Sequence, residues 1–263
     1  LCGIPAEDRK DFFEWTNTMM FNQDPDMAIS EEESQLASLN VIAYAMKLAE
    51  EHKTNPKNDI IGALLNGKGK EAGLSDDEFV WFFLMLIAAG NESTRTVTSH
   101  GMRLLMENPD QLQYLVDHPE KIPDACEEIL RYNTAFILMR RTAMEDVEVA
   151  GHAIKKGDKV ILHYHTVNHD EGLFGEDSMK FDVRRAERIP DLYNQHRSFG
   201  IGQHFCLGTH LARLELRVIL EEVIPRMRNP RLAGEIRYTR SSLVSGIKSM
   251  PITFDPEVKQ AAA

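Results

Sequence analysis

Cysteine is scarce in this chain: three among 263 residues, at Cys2, Cys126 and Cys206, with no C-x-x-C pair. The small, odd number argues against a disulfide framework and fits a reducing cytoplasm. Positive charge is short as well. With 30 Lys and Arg against 41 Asp and Glu the net charge is −11, and no basic stripe offers a footprint for nucleic acid. Long apolar runs are missing too. The longest, Phe79–Gly90, falls short of the roughly 18 residues that a membrane-spanning helix needs, and it leads straight into polar residues. No internal repeat or low-complexity segment occurs apart from the Ala261–Ala263 tail, and the chain opens on Leu-Cys-Gly-Ile-Pro rather than on methionine. What remains is an acidic globular composition, 43% hydrophobic, long enough for one large or two small domains.

Helical periodicity dominates. Asp8–Met20 reads as a short amphipathic helix carrying Phe12, Phe13 and Trp15. Ser30–His52 reads as a longer one with an acidic start (Glu31, Glu32, Glu33) and apolar Leu36, Leu39, Ile42, Ala43 and Met46 at helical spacing. Lys53–Asp59 is a polar loop, Asp59–Leu65 a short helix, and Gly67–Gly73 a Gly- and Lys-rich turn. Ser75-Asp76-Asp77-Glu78 is a capping box at the head of a helix that can run to Glu107, until Asn108-Pro109 stops it. A helix over about 76–107 must cross the whole domain. Gln111–Asp117 and Pro123–Tyr132 follow as helices. The period then changes. Val147–Tyr164 reads as a β-hairpin turning at Lys155–Asp158, Phe174–Gln203 as irregular chain, Gly208–Met227 as the last long helix, and Leu243–Phe254 as a closing strand pair. The fold class is mainly α with a small β part.

The most informative stretch is Phe199-Gly200-Ile201-Gly202-Gln203-His204-Phe205-Cys206-Leu207-Gly208. A lone cysteine sits in a glycine-spaced loop at the mouth of a helix. Gly200, Gly202 and Gly208 let the backbone take φ > 0 and approach a flat ligand closely. The helix dipole and its unpaired N–H groups favour a thiolate. Such a sulfur suits the axial position of haem iron, where it pushes electron density onto the metal. A second constellation, Ala88-Ala89-Gly90-Asn91-Glu92-Ser93-Thr94-Arg95, puts an acid and an alcohol in the middle of the long helix, where they need a cavity or partners. A third, Glu128 and Arg131, shares one helix face at i, i+3, as a solvated surface pair also does.

The cysteine loop resembles the haem-binding loop of the cytochrome P450 monooxygenases, F-G-x-G-x-H-x-C-x-G. The long-helix segment resembles that family's oxygen-activation motif, with Glu92 as the acid and Ser93 in place of the usual threonine. Glu128–Arg131 is similar to its E-x-x-R motif, and Phe181-Asp182-Val183-Arg184-Arg185 offers Arg185 as the third member of that structural network. Between Arg185 and His196 the chain is about five residues longer than the bacterial pattern. The resemblance covers nearly the whole chain but the C-terminal two-thirds of a family member. It implies a P450-like fold lacking roughly 140 to 160 N-terminal residues, with residues 1–263 forming an N-terminally truncated haem domain.

The resemblance further implies haem b bound through Cys206, with Phe199, Gly200 and Gly208 shaping its loop. Arg141, His204 and, more weakly, His196 are the partners for the propionates, although for His196 a hydrogen bond within the fold serves equally well. Glu92 and Ser93 would deliver protons to O2. Leu86, Ala89, Phe136, Ile137, Leu138, Leu243 and Val244 would line the substrate cavity, and each serves ordinary core packing equally well. His163, His165 and His169 suggest a metal site, but no carboxylate or cysteine completes a tetrahedral set.

The implied activity is that of a soluble, cytoplasmic bacterial monooxygenase. Its electrons would come from NAD(P)H through a ferredoxin and its reductase, landing on a basic patch of Arg197, Arg213 and Arg217. Met139–Ala143 and Ser245–Lys248 are similar to members that hydroxylate sterol side chains, branched lipids, terpenoids or alkyl chains. A peroxide-driven enzyme and a non-catalytic haem-binding fragment or sensor remain as alternatives, and NAD(P)H dependence separates the first of these.

Overall fold

Two reciprocal capping boxes start the two longest helices. Ser30 Oγ accepts the Glu33 N–H at 3.1 Å while Glu33 accepts the Ser30 N–H at 2.8 Å, and α2 runs Glu31–Thr54. Ser75 and Glu78 repeat the exchange, and α4 runs Asp76–Glu107. The computed structural model describes residues 2–67 and 72–257, so most of the glycine-rich turn expected at Gly67–Gly73 lies outside the described residues. The chain divides into two compact units, Leu1–Glu92 and Ser93–Ala263, and α4 contributes its first half to one and its second half to the other.

In the first unit α1 (Arg9–Met20), α2, α3 (Ile60–Asn66) and the start of α4 surround Phe12, Val41, Ala45, Ile61, Phe79 and Phe83. Phe12 meets Tyr44 edge-on at 4.9 Å, and Asp59 caps α3 through the Gly62 N–H. Of the apolar positions read on α2, Ile42 packs against this core and the others do not. Leu36, Leu39 and Met46 are 58%, 59% and 61% exposed, while Ala37, Val41, Ala45, Leu48 and Ala49 point inward. Small side chains let α2 approach its neighbours closely, and that selects the alanine face over the leucine face.

In the second unit α5 (Pro109–Asp117) starts directly after α4 with proline in its first turn, and α6 (Ile122–Tyr132) and α11 (Thr209–Arg226) complete the core. Leu105, Leu115, Ile122, Ile129, Leu216 and Leu220 are buried there together. At Gly101 an added Cβ would stand 3.1 Å from Ile129, so glycine sets how closely α4 approaches α6. Single helical turns α7 (Tyr164–Val167) and α8 (Glu171–Phe174) lead into the stretch read as irregular, which itself holds α9 (Arg185–Arg188) and α10 (Leu192–Gln195). The last two occupy the longer Arg185–His196 segment.

Strand pairing departs from expectation. β2 (Val147–Val149) pairs with β3 (His152–Ile154) across Ala150 and Gly151, both at positive φ, so the hairpin turns there and not at Lys155–Asp158. The next strand, β4 (Lys159–His163), pairs with β1 (Leu138–Thr142), a segment not read as a strand. Nor do the closing strands pair with each other. β7 (Ile247–Ser249) joins β6 (Arg237–Tyr238), and β8 (Ile252–Pro256) joins β5 (Met227–Leu232).

Candidate functional site

Cys206 sits half-buried, three residues before α11. Its N–H donates to the Phe199 carbonyl at 3.0 Å, closing the loop from end to end. Gly200 and Gly202 take φ of +75° and +74°, a region that disfavours side chains. Gly208 does not. Its φ is −83°, and a Cβ there would meet Cys206 Sγ at 3.9 Å, an ordinary contact. Burial pushes the Cys206 thiol up, while the Gly208 N–H and the Arg213 charge pull it back down. The Gly208 N–H and the Arg213 charge thus offset part of the cost of burying a thiolate at Cys206. Cys126 is another matter. Burial first, then Glu127 and Glu221, push it up to about 12, so it stays an inert core thiol.

Behind the loop lies a group that motif reading missed. Arg213 donates to both carboxylate oxygens of Glu127, at 2.8 and 3.0 Å, and its guanidinium stands 3.6 Å from the centre of the Tyr193 ring and 4.5 Å from that of Phe199. His196 Nε2 is 2.9 Å from Glu127, and its Nδ1 accepts the Ser198 N–H at 3.3 Å. Burial keeps His196 neutral despite Glu127, so Nε2 carries the proton and both nitrogens are engaged within the fold. His196 thus takes the fold hydrogen bond and has no nitrogen left for a propionate. Burial works against the Glu127 charge, but its bonds from His196 and Arg213 win and hold its carboxyl below the usual range. The expected basic patch is largely neutralised. Arg213 belongs to Glu127, Arg217 stands 3.6 Å from Glu221, and Arg197 donates to main-chain carbonyls. A cavity of about 420 Å³ borders this side of the loop, against Tyr193, Arg197, Phe199 and Phe205, without including Cys206.

Glu128, Arg131 and Arg185 meet in the core, all with fully buried side chains. Glu128 accepts from Arg131 at 2.7 and 2.8 Å and from Arg185 at 3.0 and 3.1 Å. The remaining guanidinium N–H groups go to carbonyls and, for Arg185 Nη1, also to the Asp177 carboxylate at 3.1 Å. Arg131 reaches Asn168 and Ser178 at 2.6 and 2.8 Å, and Arg185 reaches Phe174, Asp177 and Lys180 at 3.0, 3.0 and 2.7 Å. Asn168, also missed, extends the network to the cysteine loop. Its Oδ1 accepts the Arg197 N–H at 2.6 Å, and its Nδ2 donates to Ser198 Oγ at 2.9 Å. Nothing in its immediate sequence marks it, because its partners are 29 and 30 residues away.

On α4, Glu92 is buried and ends the first unit, and half-buried Ser93 begins the second. Beside Gly90, its own helix and chain neighbours apart, no atom of the described residues lies within 4 Å of where a Cβ would stand. Leu86 and Ala89 share the first unit with Glu92. The other expected lining residues gather in the second. Phe136 bridges to Val244, the Ile137 N–H donates to the Leu243 carbonyl at 2.9 Å, and Leu138 begins β1. Leu243 is 36% exposed, but Val244 is 1% exposed and serves as core. Arg141, in β1, donates to the Arg140 carbonyl, and His204 is exposed in the short turn Gly202–His204. His165 lies in α7, not on a strand beside His163. Its ring stacks on His169 at 4.4 Å, and among the described residues no group of three metal-ligating side chains exists.

A family model described as Cytochrome P450 matches residues 122–229, from α6 through the cysteine loop and α11. The steroid C26-monooxygenase of Mycolicibacterium smegmatis is 38% identical over 256 residues, 97% of this chain and 57% of that protein. The methyl-branched lipid omega-hydroxylase of Mycobacterium bovis is 36% identical over 97% of this chain and 58% of that protein. Among solved structures, the Mycobacterium marinum cytochrome P450 CYP268A2 in complex with pseudoionone superposes with a TM-score of 0.87 at 32% identity, over 96% of this chain and 60% of that one. CYP109E1 from Bacillus megaterium in complex with corticosterone gives 0.84 at 32% identity, over 95% and 66%. The chain belongs to the cytochrome P450 family.

This P450 chain thus spans a little over half the length of the curated relatives it matches. Its fold is the corresponding part of the P450 fold, mainly helical with small sheets. The family implies haem, and the donor set fits it. Cys206 offers a soft sulfur that accepts the Gly208 N–H, and the glycine at 208 keeps the space beside that sulfur clear of a side chain. Among the described residues no helix is long and apolar enough to cross a membrane.

Proposed function

We propose that this P450 chain is part of a haem-thiolate monooxygenase that inserts one oxygen atom of O2 into a hydrophobic substrate of the steroid or methyl-branched lipid type. When bound, haem supplies the iron at which O2 is activated. The observation that carries the reading is the Cys206 loop, tied by the Cys206 N–H to Phe199 and by the Gly208 N–H to the sulfur. Cys206 holds the iron. Arg141 and His204 supply cationic or donor contacts to the propionates. Buried Glu92 takes protons from water, and Ser93 holds the last hydroxyl of that path. Leu86, Ala89, Phe136, Ile137, Leu138 and Leu243 exclude water from an apolar substrate. A ferredoxin and its NAD(P)H-dependent reductase supply the electrons. The substrate class is supported by relatives named for steroid and methyl-branched lipid hydroxylation at 38% and 36% identity.

The test is spectroscopic. The reduced, CO-treated full-length protein is expected to absorb at about 450 nm, the signature of thiolate ligation. Cys206→Ala removes that band, whereas Cys2→Ala and Cys126→Ala keep it. A band that survives without Cys206 refutes the assignment.

A further inference from the structure

His100 stands two helical turns past Ser93 on α4, 3% exposed, outside the groups assigned above. Its Nε2 is 2.6 Å from the Ser245 carbonyl, which only accepts, so Nε2 carries the proton. Nδ1 is then the acceptor, and it takes the Arg103 Nε–H at 3.2 Å. Arg103 is itself held by Glu107 at 2.6 Å. Asn133 Nδ2 reaches Ser245 Oγ at 3.2 Å, and the Tyr238 ring lies nearly parallel to His100 at 6.1 Å. One neutral imidazole therefore joins a rigid helix to the turn before β7, with both its nitrogens used.

The other side of that turn is a short ladder. The Ile137 N–H donates to Leu243 at 2.9 Å, the Ser245 N–H donates to Ala135 at 3.0 Å, and Phe136 bridges to Val244. His100, Asn133, Ile137, Val244 and Ser245 share the wall of a cavity of about 320 Å³. We infer that His100 is a positioning residue that fixes the Leu243–Val244 turn against Phe136 and Ile137 and thereby sets which hydrophobic substrates the enzyme accepts and which carbon it presents. This rests on the monooxygenase reading for its substrate side only. A ring that merely filled space would be replaceable by any ring of similar size, and the two polar contacts argue otherwise. Without them the part-buried Ser245 carbonyl and Arg103 both lose a partner, and the turn loses this hydrogen bond to α4.

The experiment compares His100→Phe, which keeps the ring and loses both bonds, with His100→Gln, which keeps a donor and an acceptor on one planar group. Both are made in the full-length, haem-loaded protein. Amide exchange at Ile137 and Ser245 reports the turn without reference to chemistry at haem. The ratio of dissociation constants for corticosterone and pseudoionone reports specificity. His100→Phe is expected to speed exchange about tenfold and to change the ratio at least about fivefold, with a new product distribution, while His100→Gln stays within about twofold of wild type. If His100→Phe does not fold, His100→Asn, too short to span the same contacts, takes its place. Unchanged exchange overturns the inference, and faster exchange with an unchanged ratio overturns the specificity role. A wild-type protein that shows no thiolate band, or oxidises no probe, instead refutes the monooxygenase reading, and the exchange result still decides the positioning role.

Discussion

Ser93 has a hydroxyl but not the methyl that threonine would carry. A threonine side chain is stiff about χ1, whereas serine turns more freely and holds its hydroxyl less firmly in one direction. Under the proposed function Ser93 is the last group on the proton path, with buried Glu92 next to it on α4. Ser93→Ala removes that hydroxyl without touching the Cys206 loop. The full-length variant is expected to keep its haem spectrum while product formed per NAD(P)H falls about 10- to 1,000-fold and hydrogen peroxide rises, the usual cost of losing one donor near developing charge. Ser93→Thr, by stiffening the side chain, is expected to couple as well as or better than wild type. Unchanged coupling in Ser93→Ala would make the pair structural.

At the scale of elements, α6 decides whether the chain from α7 to α10 stays packed. Glu128 is the one carboxylate that accepts from both buried arginines, Arg131 and Arg185. Glu128→Gln would leave buried Arg131 with a neutral amide and carbonyls only, and Arg185 with Asp177 as its remaining carboxylate. Breaking a buried ionic group in this way costs about 3–5 kcal/mol, against about 1 kcal/mol or less for a solvated pair such as Lys47–Glu51. The variant is expected to lose most of the net stability of its unit, and equilibrium urea unfolding measures the loss. Lys47→Ala is the matched control.

Helix ends were legible because their chemistry is local. Ser30 with Glu33, Ser75 with Glu78, and Asp59 ahead of Gly62 each lie within three residues of their partner. The strands were not. The partner of β4 is 21 residues upstream and contains two arginines, and Lys155–Asp158 looks like a hairpin turn although the chain there passes between two sheets. On α2 the sequence marks apolar positions at helical spacing, but periodicity does not say which of two apolar stripes faces inward. In the site, Cys206 and the Glu128 network follow fixed spacings. Asn168, Glu127 and His100 do not, because their partners are distant side chains or main-chain carbonyls that leave no mark in the residue alphabet.

For the whole molecule, acid is the condition that sets these groups against each other. The charge of −11 at neutral pH shrinks as pH falls toward the isoelectric point of about 5.4, which relieves self-repulsion and favours the folded state. The relief is small when charges are spread over the surface and screened within about 8 Å at physiological salt. Four histidines act in the opposite direction, His100 and His196 buried, His169 half-buried and His165 exposed. Burial is the main cause for each, and it lowers His100 to about 4 from an ordinary 6.5 and shifts His165, His169 and His196 the same way. Arg103 adds to the shift at His100, and its bond to Ser245 resists it. Between those two values the unfolded chain binds a proton that folded His100 refuses. The stabilisation is therefore complete above about pH 6.5 and is lost as pH falls toward 4, with His100 alone accounting for about 3 kcal/mol. Glu127 and Asp177, both held below the usual carboxylate range, extend the loss at lower pH. Urea unfolding at pH 7, 6, 5 and 4.5 is expected to show stability falling throughout, including from pH 7 to about 5.4, where net charge is approaching zero. His100→Gln should start lower at pH 7 and fall less steeply, because glutamine has no proton to gain. Parallel curves for the two proteins would mean that His100 reaches water in the folded state, and the tight Ser245 contact would then not describe the molecule in solution.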